Sequence, residues 1–179
     1  MKLEGAFEVA APASQLWELF WDAEGLGACL PGCQGVQRLD DSAFSGTVKA
    51  KVGPVQALFE GRVAIVEAVP PSRIVLKAEG RDSRTASQVR ATIDLALSTL
   101  DEGHARATYQ ADVTIVGRLG QFGDGIIRET AAVLLEDFAK NVSAYLESKG
   151  NPKPQAGDVN MARVTGKVLW RRLKGGLGQ

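Results

Sequence analysis

One histidine and two cysteines in 179 residues leave little material for metal or thiol chemistry. Cys29, Cys33 and His104 supply three soft ligands where a structural zinc site uses about four, and two cysteines cannot build a disulfide scaffold. No apolar run approaches the ~20 residues that span a bilayer. The N-terminus, Met1-Lys2-Leu3-Glu4, lacks the basic and then apolar stretch of a secretory leader. These absences predict a cytoplasmic protein with reduced cysteines and no transmembrane helix.

Net charge is missing too, since 21 basic residues balance 21 acidic ones. The balance hides a polarity along the chain. Residues 159–179 carry Arg163, Lys167, Arg171, Arg172 and Lys174 and no acid, which leaves 16 basic against 21 acidic residues in 1–158. An acidic body is unsuited to general nucleic-acid binding, and a basic tail is suited to an anionic surface. Between them, residues 150–158 hold two prolines and two glycines, which prevent a continuous helix. The sequence thus divides into a domain over 1–149, a linker over 150–158 and a tail over 159–179.

In the body, Leu3, Gly5, Phe7 and Val9 alternate with Lys2, Glu4, Ala6 and Glu8, the period of a half-buried strand. From Pro12, Leu16, Leu19 and Phe20 take helical spacing as far as the glycines at 25 and 27, and a second short helix follows over Leu26 to Leu30. Six strands are predicted near 35–40, 43–52, 55–68, 73–80, 86–100 and 104–117. Turn residues at Asp40-Asp41, Gly53-Pro54, Pro70-Pro71 and Asp101-Glu102-Gly103 separate them. A long helix is predicted over 120–149, where Ile127, Ala131, Leu134, Phe138, Val142 and Tyr145 recur on one face. A sheet and a helix with one apolar face each bury both by packing together, so the expected class is α+β: a curved seven-stranded antiparallel sheet gripping the C-terminal helix.

The inward positions alternate in size. Gly46, Ala50, Ala57, Gly61, Ala78, Ala91, Ala105, Ala107 and Ala111 interleave with Phe44, Val48, Phe59, Val63, Ile93, Tyr109 and Val113. Small residues either let the helix approach closely or leave an apolar cavity, and periodicity leaves both readings open. The residues expected to line such a cavity are Phe20 and Leu30 at its mouth, Phe44, Val48, Phe59, Val63, Ile93, Tyr109 and Val113 from the sheet, and Phe122, Ile127 and Leu134 from the helix.

Ala11-Pro12 with Trp17, then Cys29-Leu30-Pro31-Gly32-Cys33, Gly46-Thr47-Val48-Lys49, Val52-Gly53-Pro54-Val55 and Phe59-Glu60-Gly61 resemble the carbon monoxide dehydrogenase G-subunit family. The likeness continues through Gly117-Arg118-Leu119-Gly120 and Asp137-Phe138, covering about residues 1–147. That family belongs to the START-like, or SRPBCC, helix-grip superfamily, whose members mostly hold hydrophobic ligands. The resemblance implies the same fold, a real ligand pocket, an accessory role beside a molybdenum hydroxylase and no catalytic residues.

Other motifs have plainer readings. Cys29 and Cys33 flank a Pro-Gly turn as small apolar residues. Gly117, Gly120 and Gly123 match no phosphate-loop pattern and fit a bend with close backbone approach. His104 falls in a hairpin loop with no nucleophile suggestively spaced near it, and the acidic pairs are turn formers, so neither catalytic nor metal-binding residues are expected.

The tail is more specific. On a helical wheel Met161, Val164, Val168, Leu169 and Leu173 share one arc, Arg163, Lys167, Arg171 and Lys174 lie opposite, Trp170 sits at the border, and Arg172 intrudes on the apolar side. Such a helix lies in the headgroup region of an anionic bilayer, each basic residue contributing about 1 kcal/mol of attraction. Docking on a partner protein, or back onto the domain, is the competing reading, and Gly166 weakens the helix.

Taken with the resemblance, these features give a non-catalytic accessory protein. It recruits a molybdenum carbon monoxide dehydrogenase to the inner face of the cytoplasmic membrane and holds a respiratory quinone such as menaquinone as a non-covalent ligand and electron acceptor. A START-like carrier of another lipid, unrelated to carbon monoxide oxidation, and a cyclase-type enzyme on the same fold are the alternatives.

Overall fold

The computed structural model describes residues 1–52 and 55–148. The elements are β1 (Lys2–Val9), α1 (Ala13–Leu19), α2 (Ala23–Cys29), β2 (Cys33–Arg38), β3 (Ala43–Val52), β4 (Val55–Val69), β5 (Arg73–Asp82), β6 (Ser87–Asp101), β7 (His104–Val116), a 3-10 turn (Leu119–Phe122) and α3 (Gly123–Glu147). All strands join one antiparallel curved sheet in the order β1-β7-β6-β5-β4-β3-β2. Consecutive strands β2 to β7 are neighbours, as short turns dictate, and β1 returns to pair with β7.

Three sequence expectations shift. The first helix ends at Leu19 and a second begins at Ala23, because the Asp22 side chain accepts the Glu24 N–H at 3.1 Å and caps a new start. The long helix starts at Gly123 after a 3-10 turn, so Phe122 projects from that turn and not from the helix. The bend comes from Gly117, at φ +84, where a β-carbon would lie 2.0 Å from the Ala86 carbonyl oxygen. The Gly53-Pro54 turn, the linker 150–158 and the tail 159–179 lie outside the described residues.

Two apolar clusters hold the sheet to the helices. The first gathers Val9, Leu16, Leu19, Phe20, Ile74, Leu95, Leu97, Ala139 and Val142, with Phe7 meeting Phe138 edge to face at 5.8 Å. The second gathers Val52, Val55, Ala57 and Leu119, with Phe59, Ile115, Phe122 and Val133 packed against it. Polar clamps fix α3 to α2: Asn141 Nδ2 donates to the Cys29 carbonyl at 3.0 Å, and Tyr145 Oη to Asp22 Oδ2 at 3.2 Å. The helix makes its closest backbone approaches to β1 and α2.

Candidate functional site

Residues directly opposite each other in an antiparallel ladder share a face. One row therefore runs Phe44, Val63, Ala78, Ala91, Val113 across five strands. Adjacent rows pair Val48 with Phe59, Leu76 with Ile93 and Ala111, and Leu95 with Tyr109. All seven sheet residues expected inward thus stand on one face, the face that also carries the buried Ala57, Ile74, Ala105 and Ala107. The register shift between Ile65 and Glu67 falls beyond Val63 and reverses none of them.

Position within that face distinguishes them. Phe20 is buried within the first cluster, and Tyr109 packs against that cluster. Phe59 and Phe122 meet in the second cluster. Phe44, Val113 and Ile127 are buried without belonging to either. Val48, Val63, Ala78, Ala91, Ile93 and Leu134 are only half-buried and also belong to neither. Between the two packed ends, the described part of the inner face therefore keeps a band of half-buried apolar side chains outside both clusters. Leu30, half-buried, caps α2 through its N–H to the Leu26 carbonyl at 3.0 Å and begins the turn to Cys33.

The band carries no ionisable pair. Tyr109, packed against the first cluster on the same face, has its phenol pKa raised by burial. Cys29 is fully buried, and its thiol is pushed up to about 12 by burial and then by the Asp22 carboxylate, which leaves it without thiolate character at neutral pH. His104 pairs with Asp101 at 2.8 Å in an exposed hairpin. Among the described residues no three His, Cys, Asp or Glu side chains converge as a metal site. Chemically, the inner face can enclose an apolar molecule.

Sequence reasoning missed a buried polar centre beside the second cluster. Asp82, 2% exposed, accepts the Leu58 N–H at 3.2 Å, the Thr85 N–H at 2.9 Å and the Thr85 hydroxyl. Ser87 Oγ lies 2.9 Å from Thr85 Oγ1 and donates to it, since the Thr85 proton goes to Asp82, and Ser87 Oγ accepts the Leu119 N–H at 3.1 Å. Burial acts to raise the Asp82 pKa, but the Thr85 side chain and the N–H groups of Thr85, Leu58 and Arg84 outweigh it, and the net direction is downward. Asp-x-x-Thr-x-Ser in the β5-β6 turn was the available signal.

Two open grooves lie among the described residues. One, of about 430 Å³, lies on the outer face, where Glu60 opposes Arg81 and Glu79 opposes both Arg62 and Arg90. This alternation neutralises a solvated face. The other, of about 620 Å³, lies between the edge of β1 and α3, with Gly5, Phe7, Tyr109, Leu135 and Ala139 among its walls. The tail residues expected to touch a membrane, Met161 to Lys174, lie outside the described residues. No helix among the described residues is long and apolar enough to cross a membrane.

Comparison with known proteins agrees with this architecture. The family model for the carbon monoxide dehydrogenase G subunit (CoxG) matches residues 5–147. No curated protein matches the chain. A conserved protein from Geobacillus kaustophilus superposes with a TM-score of 0.76 at 17% identity, over 83% of this chain and 96% of that one. A START superfamily protein from Mycobacterium smegmatis gives 0.63 at 16% identity, over 82% and 97%. A protein of Chromobacterium violaceum gives 0.59 at 18% identity, over 82% and 97%. At these identities the likeness establishes the fold, a START-like helix grip.

Proposed function

Because the chain belongs to the CoxG family of carbon monoxide dehydrogenase subunits, we propose that it is a non-catalytic accessory protein that holds a respiratory quinone on its inner face and brings the dehydrogenase to the cytoplasmic membrane. The observation that carries the ligand reading is the band of Val48, Val63, Ala78, Ala91 and Ile93 on the inner face, apolar side chains that lie outside both packed clusters and stay half-buried. A bound apolar molecule removes their remaining surface from water at roughly 25 cal/mol per Å².

Quinone is the ligand that joins the parts. An isoprenoid quinone is confined to the bilayer, a dehydrogenase without membrane helices is not, and reduction of the quinone takes two electrons and two protons. An intermediary needs an apolar site for the ring or tail and a reversible attraction to anionic lipid. The basic segment, with five cations and no acid over 159–179, supports the second. Menaquinone in anionic vesicles, offered to purified carbon monoxide dehydrogenase with carbon monoxide as the electron donor, with and without this protein, tests the proposal. Quinone reduction that requires this protein supports it, and reduction at the same rate without it refutes it.

A further inference from the structure

β1 ends the sheet, and no described strand lies beyond it. Met1 and Val113 exchange both backbone hydrogen bonds, at 2.6 and 2.8 Å. That fixes the phase of the ladder. Odd residues of β1 turn their N–H and C=O groups towards β7, and even ones turn theirs to the open edge. Helix α3 runs beside this edge and closes both ends of it. Arg128 donates to the Lys2 carbonyl, and Ser143 Oγ accepts the Ala10 N–H at 3.0 Å. Between these clamps the edge groups of Glu4, Ala6 and Glu8 have no hydrogen-bond partner among the described residues.

The gap is the 620 Å³ groove, with apolar walls from Gly5, Phe7, Tyr109, Leu135 and Ala139. A row of unpaired amides and carbonyls flanked by apolar walls fits polypeptide in extended form. A lipid chain in the same place strips water from those groups and offers them nothing in return. Of the charged side chains lining the groove, Glu136 pairs with Lys140 at 2.9 Å and Glu8 with Arg106 at 3.7 Å, which leaves an excess of one acid, Glu147, at the end of α3. The extended segment that fits is therefore a basic one.

This chain carries such a segment within reach. Glu147 lines the groove at the end of α3, and the description stops one residue later at Ser148. Val159 begins eleven residues further on, a reach of up to roughly 38 Å of extended chain, against the roughly 13 Å that separates Glu4 from Glu8 on a strand. Residues 159–165, Val-Asn-Met-Ala-Arg-Val-Thr, hold no proline or glycine and three β-branched side chains.

We propose that the basic segment of this chain docks in the groove between β1 and α3, residues 159–165 adding an eighth strand to the free edge of β1. The segment then has two alternative seats, the groove and an anionic membrane, and occupation of one releases the other. Only the second seat rests on the function proposed above.

Amide hydrogen exchange by NMR on the full chain tests this. In the wild-type protein the amides of Ala6 and Glu8 exchange about tenfold more slowly than in the full chain bearing Arg163→Glu and Lys167→Glu, while the amide of Val113, bonded within the sheet, serves as the control for intact folding. Equal exchange at Ala6 and Glu8 in the two proteins overturns the proposal. Protection that grows with protein concentration also overturns it, because a second copy then fills the edge. With phosphatidylglycerol vesicles added, release of Ala6 and Glu8 supports two competing seats. Retained protection keeps the docked segment and instead counts against membrane recruitment.

Discussion

The Tyr109 ring lies over Gly5 of the neighbouring strand: a β-carbon on residue 5 would stand 2.7 Å from the tyrosine hydroxyl oxygen and 3.0 Å from Cζ. Glycine at this cross-strand position lets the phenol sit flat between the first cluster and the edge groove. Gly5→Ala forces the ring to move, with a stability loss of about 1–3 kcal/mol by overpacking. Tyr109→Phe removes the nearest atom, so the same alanine substitution costs less in that background. A double-mutant cycle in urea checks the pair, and equal costs in both backgrounds contradict the contact.

Asp82 gives the fold an acid-sensitive element. Its carboxyl is held below the usual range in the folded protein, so its contribution is complete above the unfolded value of about 3.9 and is lost as pH falls towards the folded value. Asp82→Asn therefore flattens the fall in stability below pH ~4 relative to wild type. Asp82→Ala leaves the part-buried N–H groups of Leu58 and Thr85 without their acceptor, at up to about 1 kcal/mol for each. Urea unfolding at neutral and acid pH reads both effects.

The two thiols differ in environment. Cys29 is fully buried with its pKa pushed up to about 12, and Cys33 is half-buried at the start of β2. Iodoacetamide at pH 8 is expected to modify Cys33 alone in the native protein and both residues after denaturation. Peptide mass spectrometry distinguishes them, and rapid native modification of Cys29 contradicts the packing described.

Ala91 lies in the half-buried band, in line with Phe44, Val63, Ala78 and Val113, and outside both clusters. Ala91→Phe fills space that a ligand would occupy without entering a packed core. The expected result is binding of a hydrophobic ligand weakened tenfold or more, about 1.4 kcal/mol, with little change in melting temperature. Unaltered affinity for a quinone analogue in a titration places the ligand elsewhere.

The alternation that makes this face was legible because an antiparallel meander with short turns transmits it from strand to strand, and Phe44, Val63, Ala78, Ala91 and Val113 fall in one row as their spacing implied. Packing within the face was not legible. That Phe20 belongs to a core cluster and Ile93 does not depends on where α1, α2 and α3 land, and Phe20 shares its cluster with Ala139 and Val142, more than a hundred residues away. Asp82 was missed for the same reason: its partners at 58, 85 and, through Ser87, 119 meet only once β4, the β5-β6 turn and the 3-10 turn converge. The free edge of β1 required the Met1 to Val113 bond pattern, which no periodicity encodes.

The central claim is that the inner face carries a respiratory quinone. Mass spectrometry of small molecules extracted from the protein purified from its native host tests this most directly. The account predicts a respiratory quinone at about one per chain in wild type and its depletion in Ala91→Phe. A stoichiometric lipid of another kind, or no bound molecule in a protein that also takes up no quinone when offered it, contradicts the account.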